Sequence, residues 1–462
     1  VAPTAPPFFL FLAVLFYLYW AAAEYRTLRL SVLLFANCFF LARFGLWYLV
    51  LIPAAGSLDF AAGLALERLK TLLLRRVILA GSVALNLGLL LTARYAGAPA
   101  SGGDLSVWRL ALPLGLSFYA FQALTYTIDV YRREIKAESS LLSHLAAVSL
   151  LPTPLAGPIS RVGDLLPQLA RTPQLSQEQA GRGFFLICLG LVKKLIVADY
   201  LADNLVNRVF DLPGLYSGFE TAFAIAGYAF QLYYDFSGYT DIALGVALLF
   251  GLKLPINFDL PYASLNLPEF WRRWHISFSQ WLRDYLYFSL PGLRSKQKLF
   301  TYANLVITFL LGGLWHGATW NFAIWGLLHG MGLAITRAWQ TWRGQRPQGG
   351  NVWLKAACGI ATFHFVCLTW VFFRAADLDG ANAVLGRVFS FTFAAGNLNG
   401  GILLVMALAV AGHFIPYRWL ERPADVFVRA PFYAQAAAML AVVIALQFLT
   451  GKGAAPFVYS RF

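Results

Sequence analysis

Charged side chains are scarce in this sequence. Asp, Glu, Lys and Arg make up 13% of its 462 residues, against about 25% in a soluble domain. Hydrophobic residues make up 59%, too much apolar surface for water to solvate, so lipid must be the solvent for much of it. Paired cysteines are also missing. Cys38, Cys188, Cys358 and Cys367 lie in apolar stretches with no CxxC spacing, which argues against a disulfide framework or a zinc site and fits small buried hydrophobes. No metal site is expected. There is no Walker A sequence and no GxGxxG fingerprint, so nucleotide-driven pumping has no support. A GxSxG nucleophile elbow is absent. So is an HxxxxD pairing of histidine and carboxylate, because the fifth residue after His275 is Gln280 and after His316 is Asn321.

What is present is a net charge of +14, from 36 Lys+Arg against 22 Asp+Glu. The basic residues fall in short clusters between apolar runs, the placement of the positive-inside rule. No extramembrane basic domain exists to hold nucleic acid. Apolar runs near 8–23, 30–53, 71–93, 110–131, 181–204, 219–234, 238–251, 299–314, 318–336, 353–373, 400–417 and 434–450 have roughly the lengths of membrane helices or of re-entrant segments. The first lacks a basic n-region and a small-residue cleavage site, so it reads as a span rather than a signal peptide. Dyad alternation is absent, so helix is the only element that satisfies the backbone in lipid. The expected fold is all-α: a polytopic transmembrane bundle of about 11–13 membrane helices, some re-entrant or interfacial. It is read as one domain over 1–462, richest in motifs over 110–375. Arg132, Arg133, Lys136, Arg161 and Arg171 share one connection, and Arg272, Arg273, Arg283, Arg294, Lys296 and Lys298 another. Both are placed on the cytoplasmic side.

Three stretches depart from this pattern. Residues 95–107 are rich in Gly, Ala and Ser and read as a loop. Pro152, Pro154 and Pro158 interrupt any helix and mark a loop or a re-entrant segment. Over 268–290, Trp271, Trp274, Phe278, Trp281, Tyr285 and Phe288 recur at helical spacing, with Arg272, His275, Ser279 and Arg283 on another face. That pattern predicts an amphipathic helix lying at the membrane interface, with Pro268 and Glu269 in its first turn.

Polar groups at bilayer depth are the functional pointers, since an ionised side chain there costs about 2.5–3.5 kcal/mol. They are Asp129, Lys193, Lys194, Asp199, Asp235, Asp241, His316, His329 and His364. The simplest reading of Lys193, Lys194 and Asp199 is a span end with snorkelling lysines. Ser237-Gly238 predicts a turn or helix break between Asp235 and Asp241, although an unbroken helix would set the two carboxylates about 240° apart. His316 lies in Gly312-Gly313-Leu314-Trp315-His316-Gly317, where glycines permit close approach of a neighbour or ligand. A core histidine bonded to a carbonyl is the competing reading. His329 would face elsewhere on the same helix and reads as structural. His144, His364 and His413 have no motif context.

Several short blocks, in order, resemble the membrane-bound O-acyltransferase superfamily, and within it the bacterial alginate O-acetyltransferase branch. They are Pro113-Leu114-Gly115-Leu116-Ser117-Phe118-Tyr119 with Phe121-Gln122; Ile128-Asp129-Val130-Tyr131-Arg132; Ala156-Gly157-Pro158-Ile159 with Arg161; Lys193-Lys194 with Asp199; Phe230-Gln231 with Tyr234-Asp235-Phe236-Ser237-Gly238-Tyr239; Pro268-Glu269-Phe270-Trp271-Arg272-Arg273-Trp274-His275; Gly313-Leu314-Trp315-His316-Gly317; and Trp370-Val371-Phe372-Phe373-Arg374-Ala375. The first hundred residues match in hydropathy alone. The resemblance implies a funnel-shaped helical bundle around a central tunnel, a catalytic role for His316, and a second functional position at His275.

Acyl transfer to a hydroxyl needs a base for the hydroxyl proton, and neutral histidine suits that task near pH 7. His316 is expected to be that base. His275 and the candidate substrate-binding residues Arg272, Asn321, Asp235 and Trp315 would position substrate or stabilise charge. No tightly bound cofactor is expected. The donor implied by the resemblance is a cytoplasmic acyl thioester, acetyl-CoA first. The acceptor is an extracytoplasmic polysaccharide or a carrier on a periplasmic acetyltransferase partner of the same export complex, and the setting is the bacterial inner membrane. Alternatives are D-alanyl or peptidoglycan O-acyl transfer by the same fold and, in another class, a transporter or flippase without chemistry.

Overall fold

A computed structural model describes residues 6–42, 48–95, 114–151, 157–291, 298–344, 351–415 and 417–449. Every regular element among the described residues is helical, as the need for internally satisfied backbone in lipid requires. Four helices, Tyr48–Arg68, Leu72–Thr92, Lys298–His316 and Val352–Arg374, are long and apolar enough to cross a membrane. Shorter apolar helices include Pro7–Ala21, Gly400–His413 and Phe432–Leu446. The protein is a multi-pass membrane protein. The 95–107 loop lies outside the described residues apart from Tyr95, and so does the proline-rich stretch through residue 156.

Contacts divide the chain into two units, Val1–Ile187 with Tyr239–Pro255, and Cys188–Gly238 with Ile256–Phe462. In the first, helices Tyr48–Arg68, Leu72–Tyr95 and Leu114–Arg132 pack on one another. Asp59 is fully buried among them. It accepts from Ser82 Oγ at 2.7 Å and Asn86 Nδ2 at 2.9 Å, and Ser82 also contacts Thr127 Oγ1 at 3.0 Å. A buried acid is tolerable only with such partners.

In the second unit, helices Lys298–His316 and Trp320–Arg343 form a closely packed hairpin. Its contact is made by glycine. A Cβ on Gly313 would collide with the Phe322 carbonyl, and one on Gly326 with the Phe309 carbonyl. Helix Val352–Arg374 packs on Trp320–Arg343, and Trp274, Trp325 and Trp370 are buried in the shared core.

Three expectations are corrected. Residues 268–290 are not one interfacial helix. Helix Leu267–Arg273 ends, His275 takes a left-handed backbone (φ +42°), and the chain resumes as Ile276–Trp281 followed by a π-turn over Leu282–Leu286. Most of the aromatic face is core, with Trp271, Trp274, Phe278 and Tyr285 buried, while Trp281 is half-buried and Phe288 is exposed. Ser237-Gly238 is not a break, because helix Gly218–Leu249 runs through it, so the runs 219–234 and 238–251 are one element. Gly238 serves packing instead: a Cβ there would lie 2.7 Å from the Gly190 carbonyl oxygen and 3.2 Å from Lys194 N. Finally, Lys194 does not snorkel. It is 1% exposed, its Nζ lies 2.6 Å from both Asp199 Oδ1 and Asp235 Oδ1, and it sits on a π-helical turn, Lys193–Ala198, a local widening common at functional or strained places.

Candidate functional site

All six candidate site residues lie in the second unit. His316 closes helix Lys298–His316 and is 5% exposed. Aromatic rings surround it: Trp315 at 4.5 Å, Phe373 at 5.0 Å, Trp325 at 5.3 Å, Phe278 at 5.8 Å and Phe322 at 6.2 Å between centroids. Gly317 lets Phe322 reach it, since a Cβ there would strike that ring.

His275 caps helix Ile276–Trp281 from a backbone region that few residues other than glycine occupy, although histidine is among the enriched exceptions. Such strain is held by its surroundings and concentrates at functional sites. The ring is 1% exposed, edge-on to Phe236 at 4.7 Å and stacked on Phe278 at 5.0 Å. Phe278 therefore touches both imidazoles, and Trp315 stacks on Phe278 at 4.8 Å. Two histidines separated by 41 residues of sequence meet at one aromatic ring.

The break that exposes His275 to this cluster is held by the segment before it. Ile276 N–H donates to the Asn257 carbonyl at 2.9 Å and Asp259 N–H to the Arg273 carbonyl at 3.0 Å. Asn257 Oδ1 accepts from Ser277 Oγ at 2.7 Å and Ser277 N at 3.2 Å, and lies 3.4 Å from His275 Nδ1. Asn257 has no motif or helical spacing to His275. Only the tertiary pairing of 257–259 with 273–276 reveals it.

The remaining candidates separate. Arg272 is exposed where His275 is buried, because the helix break removes the face they were expected to share. Exposed Arg272 lines a cavity of about 820 Å³ with Ser279, Gln280, Arg283 and Arg337. Arg283 is paired with Asp284 at 2.7 Å. Arg272 has no hydrogen bond or ion pair among the described residues. Asn321 is buried and donates from Nδ2 to the Ala375 carbonyl at 2.9 Å, tying the start of its helix to the end of Val352–Arg374. It also lines a second cavity of about 830 Å³ with Trp320, Asp377 and Asp379. Asp235 is committed to Lys194, and its neighbour Phe236 is the ring that meets His275. His329 has the structural role expected of it. Trp271 Nε1 donates to its Nδ1 at 3.2 Å, which places the proton on Nε2, 2.9 Å from Thr369 Oγ1. Among the described residues no group of His, Cys, Asp and Glu could hold a metal ion.

A model of the membrane-bound O-acyltransferase family matches residues 72–373. The chain belongs to the membrane-bound O-acyltransferase family. The family match spans both histidines and the Lys194 cluster. A protein of Azotobacter vinelandii named "Probable alginate O-acetylase" is 43% identical over 286 residues, 62% of this chain and 55% of that protein. The "Peptidoglycan O-acetyltransferase" of Helicobacter pylori is 35% identical over 386 residues, 76% of this chain and 72% of its own. The "Teichoic acid D-alanyltransferase" of Streptococcus thermophilus is 31% identical over 291 residues, 56% of this chain and 68% of its own. The chain thus spans little more than half the length of the Azotobacter relative. The resemblance read from the motif blocks, including the alginate branch, is borne out.

Proposed function

We propose that this chain is an O-acyltransferase of the bacterial inner membrane that moves an acetyl group from a cytoplasmic thioester, acetyl-CoA, to a hydroxyl outside. The acceptor is an extracytoplasmic polysaccharide or a carrier on a periplasmic acetyltransferase partner of the same export complex. The observation that carries this reading is the meeting of His275 and His316 at Phe278, inside a chain of this family. Two buried imidazoles supply what acyl transfer to an alcohol requires. The base accepts the hydroxyl proton as the oxygen attacks the thioester carbonyl. The C–S bond then breaks, and the imidazolium returns the proton to the departing thiolate. We assign the base to His316 and positioning of the acceptor hydroxyl to His275. Water exclusion by the surrounding rings protects the thioester from hydrolysis.

The cavity lined by Arg272, Arg283 and Arg337 suits the donor. Its guanidiniums match phosphate, and its apolar wall, with Trp271 and Phe288, suits an alkyl arm. Trp315 borders the reacting group, and Asn321 fixes the helix beyond it. Asp235 contributes through the Lys194 cluster rather than by touching substrate. Peptidoglycan O-acetylation is the second reading, supported by a relative of that name matched over 76% of this chain.

The test is purified full chain offered acetyl-CoA or a D-alanyl carrier protein together with a polysaccharide acceptor, with acceptor-dependent thiol release measured for wild type and His316→Ala. Thiol release from acetyl-CoA by wild type, cut at least about 10²-fold in the variant, is the expected outcome. Use of the D-alanyl carrier alone would overturn the donor. Inertness toward both would favour a transporter without chemistry.

A further inference from the structure

We propose that Asn257 is a positioning residue that locks His275 in one tautomer, with the proton on Nδ1 and the lone pair on Nε2. The argument is one of donors and acceptors. A backbone N–H can only donate, and Ser277 N–H points at Asn257 Oδ1 at 3.2 Å. The amide must therefore present its oxygen, not its NH2 group, to this corner; a flipped amide would set donor against donor. Ser277 Oγ donates to the same oxygen at 2.7 Å. His275 Nδ1 lies 3.4 Å from it. An unprotonated Nδ1 would oppose lone pair to lone pair, so Nδ1 carries the hydrogen. The ring is packed among Phe236 and Phe278 and 1% exposed, an environment that favours the neutral imidazole. With Nδ1 protonated in a neutral ring, Nε2 is the acceptor.

The backbone reinforces the choice. Residue 275 is held at φ +42° by the hydrogen bonds that join 257–259 to 273–276, which set the ring beside the amide, and Phe236 and Phe278 pack against it there. A second residue thus orients an imidazole whose far nitrogen is left to accept a hydrogen bond, as orienting partners fix imidazoles in acyl-transfer enzymes. His275 can then accept a hydrogen bond from the acceptor hydroxyl at Nε2. That catalytic consequence rests on the acyl-transfer reading above; the tautomer does not.

The experiment has two arms. In the first, 15N spectra are recorded on full-length protein labelled at histidine, with His275→Gln identifying the resonances. Wild type should show a protonated Nδ1 and an unprotonated Nε2 at His275. Asn257→Asp, which keeps the acceptor oxygen, should preserve this form, and Asn257→Leu should not. A wild-type ring protonated on Nε2, or identical spectra in all three proteins, would overturn the proposal. If Asn257→Leu does not fold, wild type and Asn257→Asp still decide it. In the second arm, turnover of acetyl-CoA should fall at least about tenfold in kcat for Asn257→Leu with KM little changed, and Asn257→Asp should recover most of it. Equal loss in both variants would overturn the positioning role. A wild type inert toward acetyl-CoA would instead remove acetyl-CoA as the donor, leaving the tautomer to the spectra.

Discussion

Two buried imidazoles in the second unit look alike in a sequence and are built differently. His329 sits mid-helix with both nitrogens engaged, Nδ1 by Trp271 and Nε2 at Thr369, whose hydroxyl in turn donates to the Val366 carbonyl at 2.7 Å. That chain of bonds is closed, and nothing in it is spare for chemistry. His275 sits at a helix break on left-handed backbone, with one nitrogen directed at Asn257 and a ring shared, through Phe278, with His316. Burial alone does not separate the two. The strained backbone and the short helices around it do, because regular helix would have been the lower-energy choice for a ring that only fills space.

The contrast can be tested from both ends. His275→Ala should lower acyl transfer by about 10²–10⁴-fold in the fraction that folds, beyond the stability lost with its buried ring. His329→Ala should leave a folded fraction that turns over normally, in a protein destabilised by about 2–4 kcal/mol through the lost ring and the stranded Trp271 and Thr369. Equal kinetic loss in both would erase the distinction. The Lys194 cluster belongs with His329. Lys194→Met removes the cation shared by Asp199 and Asp235 and should cost about 3–5 kcal/mol, read as a fall in melting temperature, with part of it recovered when Asp199→Asn and Asp235→Asn are added. The smallest effect is expected at the cavity rim, where Arg272→Gln should raise KM for acetyl-CoA about tenfold with kcat held, the pattern of lost ground-state binding.

Much of the fold was legible because lipid removes the alternatives: apolar runs become helices. The motif blocks around His275 and His316 also gave the family. What failed has local physical causes. Ser237-Gly238 carries the composition of a turn, yet Gly238 is small because Gly190 and Lys194 backbone press against it. The aromatic spacing over 268–290 matches a helix, but periodicity cannot register the single left-handed residue at His275. Lys194 read as a span end because its two carboxylates come from different positions, one five residues on and one 41 residues on, and only packing joins them. Asp59 escaped the list of intramembrane acids although Ser82, Asn86 and Thr127 gather around it, and Asn257 escaped for the same reason. Each is a long-range contact with no periodic signature.

The most direct measurement is the acetyl content of surface polysaccharide, by mass spectrometry, in cells carrying wild-type protein or His316→Ala at matched membrane levels. A base at His316 predicts a loss of at least about 10²-fold with the variant still folded. Near-normal acetylation by well-folded His316→Ala would contradict it.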